Sequence, residues 1–133
     1  MMLGLVAAIW SSSLAQLNPR SSQATAPLSS LCKKGDPLAG VYYPLRFRVL
    51  NTCQVGSGSV GSVTRHDRDE WVNVTQDGSI GQVRYLVLEL EPQYGVTVPV
   101  PFVGEHITFV GPLVFDLENQ MNAIYPVWSI TVS

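Results

Sequence analysis

At 133 residues, 46% of them hydrophobic and 14% charged, the chain has the composition of one globular domain and is too apolar for a disordered polypeptide. Its 8 basic residues against 10 acidic ones give a formal net charge of −2. That balance argues against a constitutive binder of nucleic acid or of anionic membranes, which carries a basic excess, while leaving room for a local basic patch.

Residues 1–15, MMLGLVAAIWSSSLA, read as a signal peptide. The apolar run at 2–10 is shorter than the roughly 20 residues that span a bilayer. Ser13-Leu14-Ala15 then offers small residues at the positions a signal peptidase inspects. No Lys or Arg precedes Arg20, so the basic start of such a segment is missing; a misplaced start or a buried amphipathic segment is the alternative. No other apolar run is long enough for a membrane, and the mature chain is expected to be secreted or held in the cell envelope without a transmembrane segment. Residues 16–30, QLNPRSSQATAPLSS, read as a flexible linker, which leaves 31–133 as the folded domain. Cys32 and Cys53 fit one disulfide in an exported protein, and no CxxC or neighbouring Cys/His partner supports a metal pair.

Residues 31–44 bring two Gly and two Pro and are expected to be loop. Arg46 and Arg48 then alternate with Phe47 and Val49, a half-buried strand pattern. Residues 54–64 carry Gly56, Gly58 and Gly61 among valines and serines, and glycines inside a strand mark bulges or sharp bends. Val60 and Val63 have opposite parity, so a bulge at Gly61 would return both to one face. A phosphate-cradling loop would need a helix N-terminus after the glycines and usually a Lys, and neither is there. The run Asp67-Arg68-Asp69 makes a polar turn, after which Trp71–Thr75 alternates with Val72 and Val74 inward. Asp77-Gly78 is a further turn signal. RYLVLELE at 84–91 is the cleanest strand, with Leu86, Leu88 and Leu90 on one face and Tyr85, Val87 and Glu89 on the other.

Prolines 92, 99 and 101 exclude a helix of any length between 92 and 105. A strand at 106–110, with Ile107 and Phe109 inward, is expected to close at Gly111-Pro112; a short strand at 113–115, a polar turn and a last strand at 123–132 follow. Five or six short strands with a curved, glycine-rich first strand predict an all-β fold, a small five- to six-stranded OB-like β-barrel. An immunoglobulin-like sandwich fits less well, because the two cysteines are too close in sequence for its inter-sheet bridge.

From 50 to 130 the sequence resembles a family of small exported domains with an OB-like barrel and no settled function. The resemblance is carried by VLNTC, by GSVGSVTRHDRDEWVNV, by RYLVLEL, and by GEHITFVGPLVFD and AIYPVWSI. Where that family has a histidine after the strand-two tryptophan, and a tryptophan and an acidic-Ile-His-Pro run in the last strand, this chain has Val72, Asn122, Ala123 and Tyr125. A histidine-based site is therefore not carried over, and no cofactor or metal is implied.

For catalysis the sequence offers His66 in a turn and His106 at the start of a strand. A set of Ser59, His66 and Asp67 lacks any nucleophile elbow, so no catalytic residues are expected. Asp67, Asp69 and Glu70 lack the loop spacing of a calcium site and read as a solvated turn. The strongest constellation is the outward face of strands two and three, with Trp71, Asn73, Tyr85 and Val87, flanked by Arg65 and Arg68 in the turn and by Arg84. OB-folds bind oligonucleotides and oligosaccharides on this surface, and aromatic stacking contributes roughly 1–3 kcal/mol per base. Asp69, Glu70, Glu89 and Glu91 would repel phosphates, so sugar, peptide or protein fits at least as well. The competing reading makes Trp71 and Tyr85 a secondary core under the 92–105 segment. Asn73-Val74-Thr75 also matches a glycosylation acceptor. The expected function is an exported binding module, for single-stranded nucleic acid or oligosaccharide, with a structural or envelope-associated protein-interaction domain as the alternative.

Overall fold

The computed structural model describes residues 27–66, 69–80, 83–91 and 98–133. The chain divides into two units, Met1–Ser30 and Leu31–Ser133; the expected signal peptide, with Trp10, and most of the expected linker lie outside the described residues. The second unit is built from β1 (Phe47–His66), β2 (Asp69–Ile80), β3 (Val83–Leu90), β4 (His106–Asp116), β5 (Met121–Ile124) and β6 (Ser129–Val132), with a short 3-10 turn at Pro44–Arg46. Strand order is β1-β2-β3-β5-β4-β6, and β1 also pairs with β4, so five strands close a barrel-like ring of hydrogen bonds. All pairs are antiparallel except β3 with β5, where Val87 faces Ala123 and Leu88 faces Ile124. The all-β, OB-like arrangement expected from the sequence is the one observed.

Alternation makes the inner face. Val72 and Val74 on β2, Leu86, Leu88 and Leu90 on β3, Ile107 and Phe109 on β4, and Ile124 on β5 form one buried cluster. Each such side chain contributes roughly 1.5–3 kcal/mol when removed from water. The β1–β2 register slips between Val60 and Ser62, which is the bulge foreseen at Gly61. It lets both Val60 and Val63 pack on the cluster.

β1 is one strand of 20 residues, not two. Its first part pairs with β4 and its second with β2, and Gly58 serves both, facing Gln76 and Ile107. A Cβ on Gly58 would run into the Thr75 carbonyl and the Val74 side chain. The strand can bend there because that space is left to backbone.

Three strand boundaries differ from expectation. β4 continues through Gly111-Pro112, because β1 is irregular between Asn51 and Gln54, opposite the proline; the missing N–H falls where the ladder is already interrupted. The last strand is broken: β5 and β6 follow one another along the same edge of β4, and the chain leaves it at Tyr125-Pro126 before Trp128 N donates to Val110 O (2.8 Å). Asp77-Gly78 lies within β2, with only a register slip between Thr75 and Ile80.

Residues 32–47 form a strap across the outside of the ring. It is fixed at one end by the Cys32–Cys53 disulfide (Cα–Cα 5.8 Å) and at the other by Phe47, whose ring stacks on Tyr125 at 4.4 Å. Leu38 and Phe47 close a second cluster over Val114, Ala123 and Tyr125, with Val41, Val49 and Val87 against it. A secondary core does exist on the outer face, then, but the strap makes it, and Tyr85 takes no part.

Candidate functional site

Of the six residues expected to form a ligand face, Arg68 lies outside the described residues. Trp71, Asn73 and Tyr85 do stand on one outer face: Trp71 pairs with Thr64 and Glu89, Asn73 with Ser62 and Val87, Tyr85 with Thr75. Arg65 and Arg84 have the opposite parity. Arg65 pairs with Glu70 and points a guanidinium at its carboxylate (3.5 Å), whereas Arg84 lines a shallow recess with Gln76, Asp77 and Gly78. The expected combination of aromatics and arginines on one surface is not formed.

The aromatics are themselves separated. Thr75, the partner of Tyr85, lies four residues along β2 from Trp71, roughly 13 Å of extended chain. Trp71 is half-buried and stacked on His66 at 4.0 Å, while Tyr85 is 70% exposed. Between them the face is closed: Val87 packs against the second cluster and Glu89 is fully buried. Both were expected to be open, and the strap is the reason they are not. Asn73 is half-buried and its Nδ2 donates to Ser62 Oγ (2.9 Å) inside the sheet.

The two histidines are far apart in role. His66 stacks on Trp71 at the end of β1, some 20 Å of strand from Ser59, and Asp67 lies outside the described residues. His106 places Nδ1 2.5 Å from Ser133 Oγ and Nε2 2.6 Å from Asp77 Oδ2, and Ser57 Oγ donates to the same Asp77 oxygen (2.7 Å). These bonds hold the Asp77 carboxyl below its usual range, the Ser57 bond first and His106 second. The chain of side chains is exposed and ties the ends of β2, β4 and β6 to β1. Among the described residues no cluster of three or more His, Cys, Asp or Glu is placed to hold a metal ion.

A more enclosed concavity lies elsewhere among the described residues, where the strap passes over the end of β3. It is a cleft of about 240 Å³ between strap residues Lys33, Lys34 and Val41, the β3 end at Leu90 and Glu91, and the β5–β6 connection at Tyr125 and Trp128. Its inner wall is polar. Tyr125 O–H donates to Glu91 Oε2, and Glu91 is also hydrogen-bonded to Asp69. Glu91 is pushed up to about 7, by burial first, with the Tyr125 hydrogen bond opposing the rise and Asp69 adding to it. Burial and the Glu91 bond also push the Tyr125 hydroxyl far above its usual range.

Behind that wall the strap is held by ions. Arg46 reaches Glu89 (3.3 Å), Asp116 (3.6 Å) and Glu118 (3.8 Å). Asp116 is fully buried, but the β4–β5 turn supplies it with donors from Glu118 N, Asn119 N and Asn119 Nδ2. Among the described residues Glu89 bonds only to Arg46, and its Oε2 has no hydrogen-bond partner. One guanidinium divided among three carboxylates does not offset burial, and Glu89 is pushed up to about 8.

Compared with models of known families, with curated proteins and with solved structures, the chain matches none.

The cleft residues were missed in the sequence because nothing periodic links them. Lys33 and Lys34 sit in a stretch without alternation, and Trp128 was assigned to the middle of a strand that is in fact broken. One signal was present: Leu38, Val41 and Phe47 precede the first hairpin and need a surface to cover, and Val87 offers apolar surface on the outer face of β3.

Proposed function

We propose that this chain is an exported binding module whose ligand occupies the cleft under the strap, in place of the β2/β3 face. The observation that carries this reading is the cleft itself, where the apolar surfaces of Val41, Leu90, Val127 and Trp128 meet Lys33, Lys34, Glu91 and Tyr125. Ligand sites are concave, largely apolar and furnished with a few convergent polar groups, and its volume suits one ring-sized unit. Export is supported by the Cys32–Cys53 disulfide, which persists in oxidising compartments. Among the described residues no helix is long and apolar enough to cross a membrane. The parity of Arg65 and Arg84, opposite to that of Trp71 and Tyr85, counts against an oligonucleotide platform on β2 and β3.

The test is tryptophan emission of the full chain during titration with short oligosaccharides and single-stranded oligonucleotides, repeated with Trp128→Phe and Trp71→Phe. A response lost in Trp128→Phe and kept in Trp71→Phe supports the cleft. The reverse pattern would return the ligand to the β2/β3 face and refute the proposal.

A further inference from the structure

We infer that the cleft recognises a small carboxylate carried on a ring-sized apolar body, its acid group at Lys33 and Lys34 and its ring against Trp128 and Pro126. This inference rests on the cleft being the binding site and adds the ligand's chemistry. Lys33 and Lys34 are adjacent, exposed and on the cleft wall. Among the described residues neither ammonium has an ion-pair or hydrogen-bond partner, although a carboxylate, Asp36, is two residues away. Asp36 also lines the cleft, with its Oδ1 accepting from Leu38 N (2.9 Å).

The opposite wall does not neutralise the lysines. Besides Asp36 the lining acid is Glu91, and its carboxyl is engaged by Tyr125 O–H and Asp69. Its other charged neighbours are Glu89 and Arg46. Burial among those acids favours its protonated form in mildly acid solution. Among the described residues the cleft lining therefore carries two lysines without an ion-pair partner against one exposed carboxylate, Asp36, together with the Glu91 carboxyl and apolar surface. A cationic ligand would meet Lys33 and Lys34 unfavourably, and a neutral one would leave them unused. An anion with an apolar ring uses all three features.

A carboxylate on a ring has two common sources, a uronic acid sugar and an aromatic acid, and the experiment separates them. The full chain is titrated calorimetrically with glucuronate, benzoate, glucose and cyclohexanol at pH 6 and pH 8.5, alongside a Lys33→Gln/Lys34→Gln variant. Both lysines are exposed, so the variant should melt with the parent. Binding of glucuronate or benzoate ahead of its uncharged counterpart is expected, with the preferred acid naming the source. The double variant should lose about tenfold in affinity, the scale of two exposed ion pairs. Affinity should also fall from pH 6 to pH 8.5 as Glu91 ionises across the cleft. Equal binding of acids and neutral rings, unaffected by the double variant, would overturn the anion inference and leave the cleft as a site. No heat with any probe, together with no emission change at Trp128, would overturn both.

Discussion

Glu89 is fully buried, and its cationic neighbour Arg46 is shared with Asp116 and Glu118. Its carboxyl is pushed up to about 8 from an ordinary 4.5, by burial first and by Asp116 second. Between those values the folded protein holds a proton that the unfolded chain has released. Stability should therefore fall as pH rises through this window and level off above it. A Glu89→Gln variant keeps the shape without the ionisation. In urea unfolding at several pH values, Glu89 should cost the wild type on the order of 5 kcal/mol across the window, and Glu89→Gln should keep only the shallower fall that Glu91, raised to about 7, contributes. A wild-type curve that climbs from pH 5 to pH 8 would contradict the assignment. Gly58 makes a second prediction at this scale. Its missing side chain leaves room for the Thr75 carbonyl and the Val74 side chain, so Gly58→Ala should cost about 1–3 kcal/mol by overpacking. A variant as stable as the parent in the same assay would mean that the bend in β1 is not set there.

The strap is the element that gives the molecule its cleft and its second core. It carries little periodic structure of its own and depends on two attachments, the disulfide and the Arg46–Phe47 end. Cys32→Ser/Cys53→Ser should lose about 3 kcal/mol by the chain-entropy estimate, and should weaken cleft binding while leaving the ring of strands intact by circular dichroism. Unchanged affinity would separate the cleft from the strap. By contrast, Tyr85 makes no packing contact with either core cluster, and Tyr85→Ala should shift stability by no more than about 0.5 kcal/mol with cleft binding unchanged. What was legible in the sequence follows the same division. Leu86, Leu88 and Leu90 announced β3 by strict alternation, and Val60 with Val63 announced the bulge at Gly61. The opposed parity of Arg84 and Tyr85 was also visible, as neighbours on a strand face opposite ways. The strap was not, because Leu38, Val41 and Phe47 are spaced by turns, and only the closed ring shows which surface they cover. For the same reason Glu89 read as a solvent-facing acid.

At the scale of the whole molecule, five strands closing through a parallel β3–β5 pair give a rigid ring, and the glycine-studded β1 made that curvature readable in advance. The position of a ligand site on the ring was not readable, since it depends on where the strap leaves the surface open. The strap covers the middle of the β2/β3 face at Val87 and Glu89, and leaves a concavity beside Glu91, Tyr125 and Trp128. The most direct measurement is backbone chemical-shift mapping of the full chain titrated with glucuronate and benzoate. Shifts concentrated at 33–41, 90–91 and 125–128 are the expected result. Shifts centred on 71–75 and 84–87, with the strap undisturbed, would place binding on the β2/β3 face and contradict the cleft as the functional site.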